Sequence, residues 1–483
     1  MSKESNEERM QIPMRDSVIL TALIILEIVT CVLVFKNTGI LVVALLMTWL
    51  IMYIYAAVTK REWRRIEKYA LDGVRAGFQS IMIVGAVGCL IGAWILSGTV
   101  PTLIYYGLKL VSPKVFLPGT MILCSILSVC TGTSYGSAAS AGLACMGIGL
   151  SMGFPAGVIA GAVICGALFG DKLSPFSDTT NLSSAMAGSD LFTHIKSMFW
   201  TTIPSWLIAM AIFAIIGNKY SGANYDPSVI EEYLGGLSSN FSLSVLTLIP
   251  VILVVVMLLL KIPAFPTIMI GAVCGGFVAM IAQGATFKEV MNSMLSGYSI
   301  DSGILLVDKL LNRGGISSMY SIMCIMIFAM GMGGMLDKMG ILDNFMGLFI
   351  QKINSVPSLI ISTMIVSYLS SAIGCTQSMS HVLTGKLMNP IYKEKGVAPE
   401  VLSRTMEDCG TLGGAMMPWH TNAVYFCGAL GVTFAEYIPY LFLSFLAPVF
   451  ALIFAFTGVA IWYADPETGA RIPKEQAPIS KEK

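Results

Sequence analysis

From Ser17 to Phe35 a single charge, Glu27, interrupts an apolar run, and residues 39–58 contain none. About 20 consecutive apolar residues is the length that crosses a bilayer as a helix. The first run has no small-residue cleavage site after it, so it reads as a retained membrane helix rather than a removed signal. Further spans are expected at 79–96, 114–130, 198–217, 241–260, 267–283, 318–336, 357–373 and 438–463. Shorter or Gly/Pro-broken stretches fall at 101–111, 136–152, 156–170, 378–390 and 402–433. Composition agrees: 55% of the 483 residues are apolar and 12% charged, against about 25% charged in soluble domains. The expected fold class is therefore an all-α polytopic membrane protein surrounded by lipid. A net charge of +1 leaves no basic surplus for nucleic acid. The eleven cysteines show neither paired metal spacing nor a short disulfide framework.

Lys/Arg placement sets the orientation. Residues 60–75 carry six, the N-terminal tail three and the C-terminal tail four, whereas 218–240 carries only Lys219. Both tails (1–16 and 465–483) and loop 60–75 are thus expected in the cytoplasm, with the polar linker 218–240 outside. A basic surface helix at 60–75 would give the same orientation. The linker separates two membrane halves, 17–217 and 241–464.

The halves share a pattern. GDKLSP at 170–175 faces GGAMMP at 413–418, and GTSYGSAAS at 132–140 faces GCTQSMSHV at 374–382. Gly92 and Gly98 recur as Gly334 and Gly340, and Arg75-Ala-Gly finds Arg313-Gly-Gly. Charge bias reverses between equivalent loops. Residues 141–157 hold no Lys or Arg, whereas 383–400 hold Lys386, Lys393 and Lys395. Inverted-topology repeats are expected, a device of transporters whose sites lie at the midplane between discontinuous helices.

Each half embeds two polar, glycine-containing clusters in apolar sequence, which marks irregular backbone lining a cavity. Thr133 and Ser134 lie in the first cluster, and Thr376 and Gln377 in its partner. The SDTTN run offers Asp178, Thr179, Thr180 and Asn181, an oxygen-rich set suited to a small hard cation. The sodium set read from it is Asp178, Thr180, Asn181 and Ser134. An intramembrane carboxylate is costly and marks function by default, although Ser, Asp and Thr also cap helices. Asp171 is either an ion-pair partner of Lys172 or a coupling residue. Glu407 and Asp408 are adjacent, resist simultaneous ionisation and suit proton exchange, or else pair with Arg404. His420, beside Thr421 and Asn422, titrates in the right range or holds a helix break. His194 and His381 are not assigned a role. GTSYG also matches G-x-S-x-G, which raises an intramembrane serine hydrolase with His381 or His420 as base. The repeat favours paired ion ligands instead, so no enzyme activity is expected.

The string GDKLSPFSDTTNLSSAMAGSDLFTHI at 170–195 resembles the NhaC family of sodium/proton antiporters, a similarity that runs from the first span to about residue 460. The resemblance implies inverted repeats with re-entrant hairpins, a scaffold and a transport domain, and a homodimeric elevator-type carrier in the cytoplasmic membrane. GTSYG and GCTQS would then be hairpin tips, with SDTTN and HTN the breaks facing them. Sodium and protons are the implied substrates, with no cofactor. Some members resemble exchangers of malate for sodium and lactate, so an organic anion is the alternative substrate.

Overall fold

The computed structural model describes residues 10–35, 39–110, 112–223, 227–260, 262–303, 307–308, 311–341, 344 and 353–480. Among them, seven helices are long and apolar enough to cross a membrane, or up to nine if each of two bent pairs is one span. The only sheet among the described residues is the pair Tyr463–Ala464 and Arg471–Ile472. Of the Lys and Arg residues that set the orientation, Lys3, Arg9, Lys481 and Lys483 lie outside the described residues.

Several expectations are redrawn. The basic stretch 60–75 is the start of one long helix, Trp63–Leu96, whose apolar part 77–96 is the span. The Ala156–Leu173 stretch is unbroken, and almost all of it is buried. Its glycines are packing contacts rather than breaks. A Cβ on Gly166 would lie 2.4 Å from the Met121 carbonyl, and one on Gly170 would lie 2.5 Å from the Val129 nitrogen. The helix can therefore press closely against Pro113–Thr131, its most extensive partner. The expected span 241–260 is helical from Val245, and Val245–Leu259 meets the preceding helical segment Leu234–Asn240 at 98°. The linker is largely helical, through Leu191–Ala223 and Pro227–Asn240.

Neither tail is simply a solvated chain end. Met10 and Ile12 are buried, and their amides donate to the carbonyls of Lys338 and Met339. Two apolar side chains in an otherwise polar stretch suffice to dock it. At the other end, Ala398 donates to Trp462 and Ala464 to Gly396, so the C-terminal segment lies on the turn after helix Gln377–Lys395.

Two helices within residues 113–188 have matches of equal length 243 residues later. Helices Pro113–Thr131 and Val356–Gly374 match in length, as do Asp178–Ala187 and Thr421–Leu430. Each short helix ends on a left-handed glycine, Gly188 and Gly431.

Candidate functional site

Four breaks in helices build the site. The first helix ends at Gly132 (φ 70°), the Thr133 hydroxyl accepts from the Gly136 amide at 3.3 Å, and a helix resumes at Ser134. Gly132 is constrained twice, by its left-handed backbone and because a Cβ would lie 2.7 Å from the Phe176 carbonyl. In the second half Cys375 takes the left-handed position at φ 56°, and Thr376 caps by accepting from the Met379 amide at 3.2 Å. A non-glycine residue there is uncommon. By capping role Thr376 therefore matches Thr133, which pairs Ser134 with Gln377 and corrects the sequence alignment by one residue.

The third break follows Leu173. The Ser174 hydroxyl donates to the Val129 carbonyl at 2.7 Å, and Ser177 occupies the cap of helix Asp178–Ala187. At the fourth, His420 Nδ1 accepts from the Asn422 amide at 3.1 Å, and the Thr421 amide donates to the Cys375 carbonyl at 3.0 Å. His420 thus holds a break, the blander of its two readings. At the shift of 243 residues Thr421 stands at the position of Asp178. The counterpart of Asp171 is Gly414, where a Cβ would stand 2.5 Å from the His420 ring. At these two positions the first half carries a carboxylate and the second half does not.

Asp171, in the last turn of helix Ala156–Leu173, is buried. One carboxylate oxygen accepts from Ser134 and the other from Ser177, each at 2.6 Å. Ser177 also lies 2.9 Å from the Thr179 hydroxyl. This group opens on a cavity of about 980 Å³ that Thr133, Ser134, Asp171, Asp178 and Thr179 line from the first half. Thr376, Gln377, Thr421 and Asn422 line it from the second. Sequence reasoning missed Tyr135, Ser177, Asp72 and Asp337, which also face the cavity. The Tyr135 phenol donates to Asn422 Oδ1 at 2.9 Å, and its ring stacks on Tyr425 at 3.9 Å, which ties the halves together.

Thr180 and Asn181 are placed differently from the sodium set expected of them. The Thr180 hydroxyl donates to the carbonyls of Asp171 (3.2 Å) and Lys172 (3.0 Å). Asn181 is exposed, and its amide donates to the carbonyls of Pro175 (2.9 Å) and Ser177 (2.8 Å). Both satisfy free carbonyls at the helix break.

Behind the cavity lies a second polar cluster. Asp171 and Lys172 do not pair; Lys172 forms a fully buried ion pair with Asp408, which also accepts from Thr201 at 2.9 Å. Glu407 accepts from Ser183 at 2.9 Å and lies 3.7 Å from His381 Nε2. His194 Nε2 lies 3.1 Å from the same serine hydroxyl. Arg404 turns away from both carboxylates, donating to the Ala460 carbonyl at 2.9 Å and lying over Trp462. Glu407 and Asp408 sit in a π-helical turn, Glu407–Thr411, a distortion frequent at functional sites. Ser134 donates to Asp171, and His381 and His420 are engaged elsewhere. No serine–histidine pair exists at GTSYG, and the hydrolase reading is discarded.

These features define a helical membrane protein with a buried carboxylate site open to a polar cavity. Residues 166–459 match the family described as the Na+/H+ antiporter family, and the chain belongs to it, within its NhaC branch. It is 38% identical over 425 residues to the malate-2H(+)/Na(+)-lactate antiporter of Bacillus subtilis, covering 88% of this chain and 91% of that one. The Na(+)/H(+) antiporter NhaC of Alkalihalophilus pseudofirmus is 36% identical over 420 residues, 87% and 90% of the two chains. The arginine/ornithine antiporter ArcD of Halobacterium salinarum is 32% identical over 417 residues, 86% and 85%.

Proposed function

We propose that this protein exchanges sodium for protons across the cytoplasmic membrane, with both termini in the cytoplasm. The observation that carries the proposal is Asp171. A buried carboxylate bracketed by two serine hydroxyls, at the meeting of helix breaks, opens to a cavity lined by further oxygen donors. Such a site offers a small cation one full charge and several hard ligands. Asp178 stands on the same wall and attracts the ion as it enters.

Reconstituted in liposomes with an internal pH dye, the protein should let sodium collapse an imposed proton gradient with no carboxylic acid present. The size of the cavity supports a second reading. About 980 Å³ exceeds what a sodium ion fills and lies in the range of small-molecule sites. Exchange seen only after malate or lactate is added would establish that reading instead.

The mechanism proposed is alternating access of the elevator type, in a homodimer, with two inverted halves. The recurrence of helices and caps at a shift of 243 residues (113 to 356, 178 to 421) supports the repeat. The reversed Lys/Arg bias supports the inversion. In a cysteine-free background, single cysteines replacing Leu150 and Glu394 should label from opposite sides of the membrane. Labelling from one side would remove the inversion.

A further inference from the structure

We propose that the exchanged proton is carried by Glu407, at a site distinct from the sodium site around Asp171. The inference rests on the exchange reading above and assigns the two ions to different carboxylates.

Glu407 is fully buried and does not line the cavity. Its surroundings are those of a proton site. The Ser183 hydroxyl donates to one carboxylate oxygen at 2.9 Å. The hydroxyl has one hydrogen, and Glu407 is nearer to it than the Thr180 carbonyl at 3.2 Å, so His194 Nε2, 3.1 Å from the Ser183 oxygen, is the donor in its contact. His194, Ser183 and Glu407 thus form a continuous hydrogen-bonded line. It begins four residues into the sequence beyond the exposed connector at Asp190 and ends beside His381. His381 Nε2 is held at 2.9 Å from Thr411. The second oxygen of Glu407 and the Nδ1 atoms of His194 and His381 are buried without hydrogen-bond partners. Unsatisfied groups of this kind are expected where a proton is taken up and given away, because one protonation state must be left incomplete.

Charge explains the coupling. The titratable and charged groups around Glu407 are Asp171 and Lys172 from helix 156–173, His194 from helix 191–223, and His381 from helix 377–395. Tyr368 comes from helix 356–374, and Arg404, Asp408 and Cys409 come from its own segment. Lys172 is paired with Asp408, whereas Asp171 and Glu407 are held by serine hydroxyls. A proton on Glu407 removes negative charge that would attract sodium to Asp171, and sodium at Asp171 in turn disfavours protonation of Glu407. The two ions therefore weaken each other's binding without sharing a ligand. Uptake passes the His194 Nε2 proton to the Ser183 oxygen and the Ser183 proton to Glu407, with His194 Nδ1 gaining a proton in turn; release reverses each transfer onto the bare Nε2.

The test compares wild type, Glu407→Gln and Glu407→Asp in proteoliposomes, using radiolabelled sodium counterflow and sodium-driven proton flux. Glu407→Gln should retain counterflow and lose proton flux. Glu407→Asp should retain both, with a displaced pH profile. Wild-type proton flux in Glu407→Gln would overturn the proposal. So would a folded Glu407→Gln that loses counterflow along with proton flux, because Glu407 would then belong to the sodium site. If the glutamine variant does not fold, an unchanged pH profile in Glu407→Asp overturns it. Absence of sodium-driven proton flux in the wild type would instead sink the exchange reading itself.

Discussion

Asp171→Asn is expected to abolish sodium transport while leaving the protein folded. The amide keeps the size of the carboxylate and an oxygen for Ser134 or Ser177, whose hydroxyls can rotate to meet the new N–H group. Removing a buried charge also relieves desolvation, so stability should hold. What disappears is the full negative charge beside the ion. At about 4 Å and an effective dielectric of about 20, that charge is worth about 4 kcal/mol, or on the order of 10³-fold in affinity. Asp178→Asn should do much less, because Asp178 is exposed and water screens it. Sodium counterflow in liposomes, beside thermal melting in detergent, separates the two variants. Full transport in Asp171→Asn with none in Asp178→Asn would return the principal role to Asp178.

The sequence reading placed the polar breaks but misjudged the partners across them. Apolar run length marked the spans, and Gly, Ser, Thr and Asn clusters marked the irregular backbone, because both signals are local. Partners are not local. Asp171 and Lys172 were weighed as a pair because they are neighbours in sequence. On a helix, adjacent residues do not face each other, so one looks into the cavity and the other toward Asp408. Arg404 and Asp408 stand four apart, an α-helical pairing distance, but the π turn beginning at Glu407 alters that geometry. His194 and His381 drew no assignment because nothing near them in sequence hints at Glu407. The glycines of helix 156–173 misled in the opposite direction. Glycine spacing alone does not distinguish a break from a close helix contact, and only the neighbouring helix decides.

Lys172→Met should be the most destabilising single change in the polar core. The ammonium and the Asp408 carboxylate are both fully buried, and the ion pair bridges helix 156–173 to the π turn. Methionine preserves most of the volume but leaves Asp408 without its cation, with Thr201 as its one side-chain hydrogen-bond donor and its second oxygen unsatisfied. Removing one partner of a buried pair costs about 3–5 kcal/mol, most of it the uncompensated charge. Thermal unfolding in detergent should show a large drop for Lys172→Met. The double variant Lys172→Met, Asp408→Leu should recover most of it, since replacing both partners with apolar groups is often neutral. Wild-type melting of the single variant would show that the pair contributes nothing to the fold. Transport by the recovered double variant then isolates the electrostatic role of the pair. Removing one positive and one negative charge together leaves Asp171 and Glu407 in place, so sodium and proton should still oppose each other's binding. Exchange should therefore persist in the double variant, and its loss in a protein that melts like the wild type would mean that Lys172 takes a direct part in moving the ions.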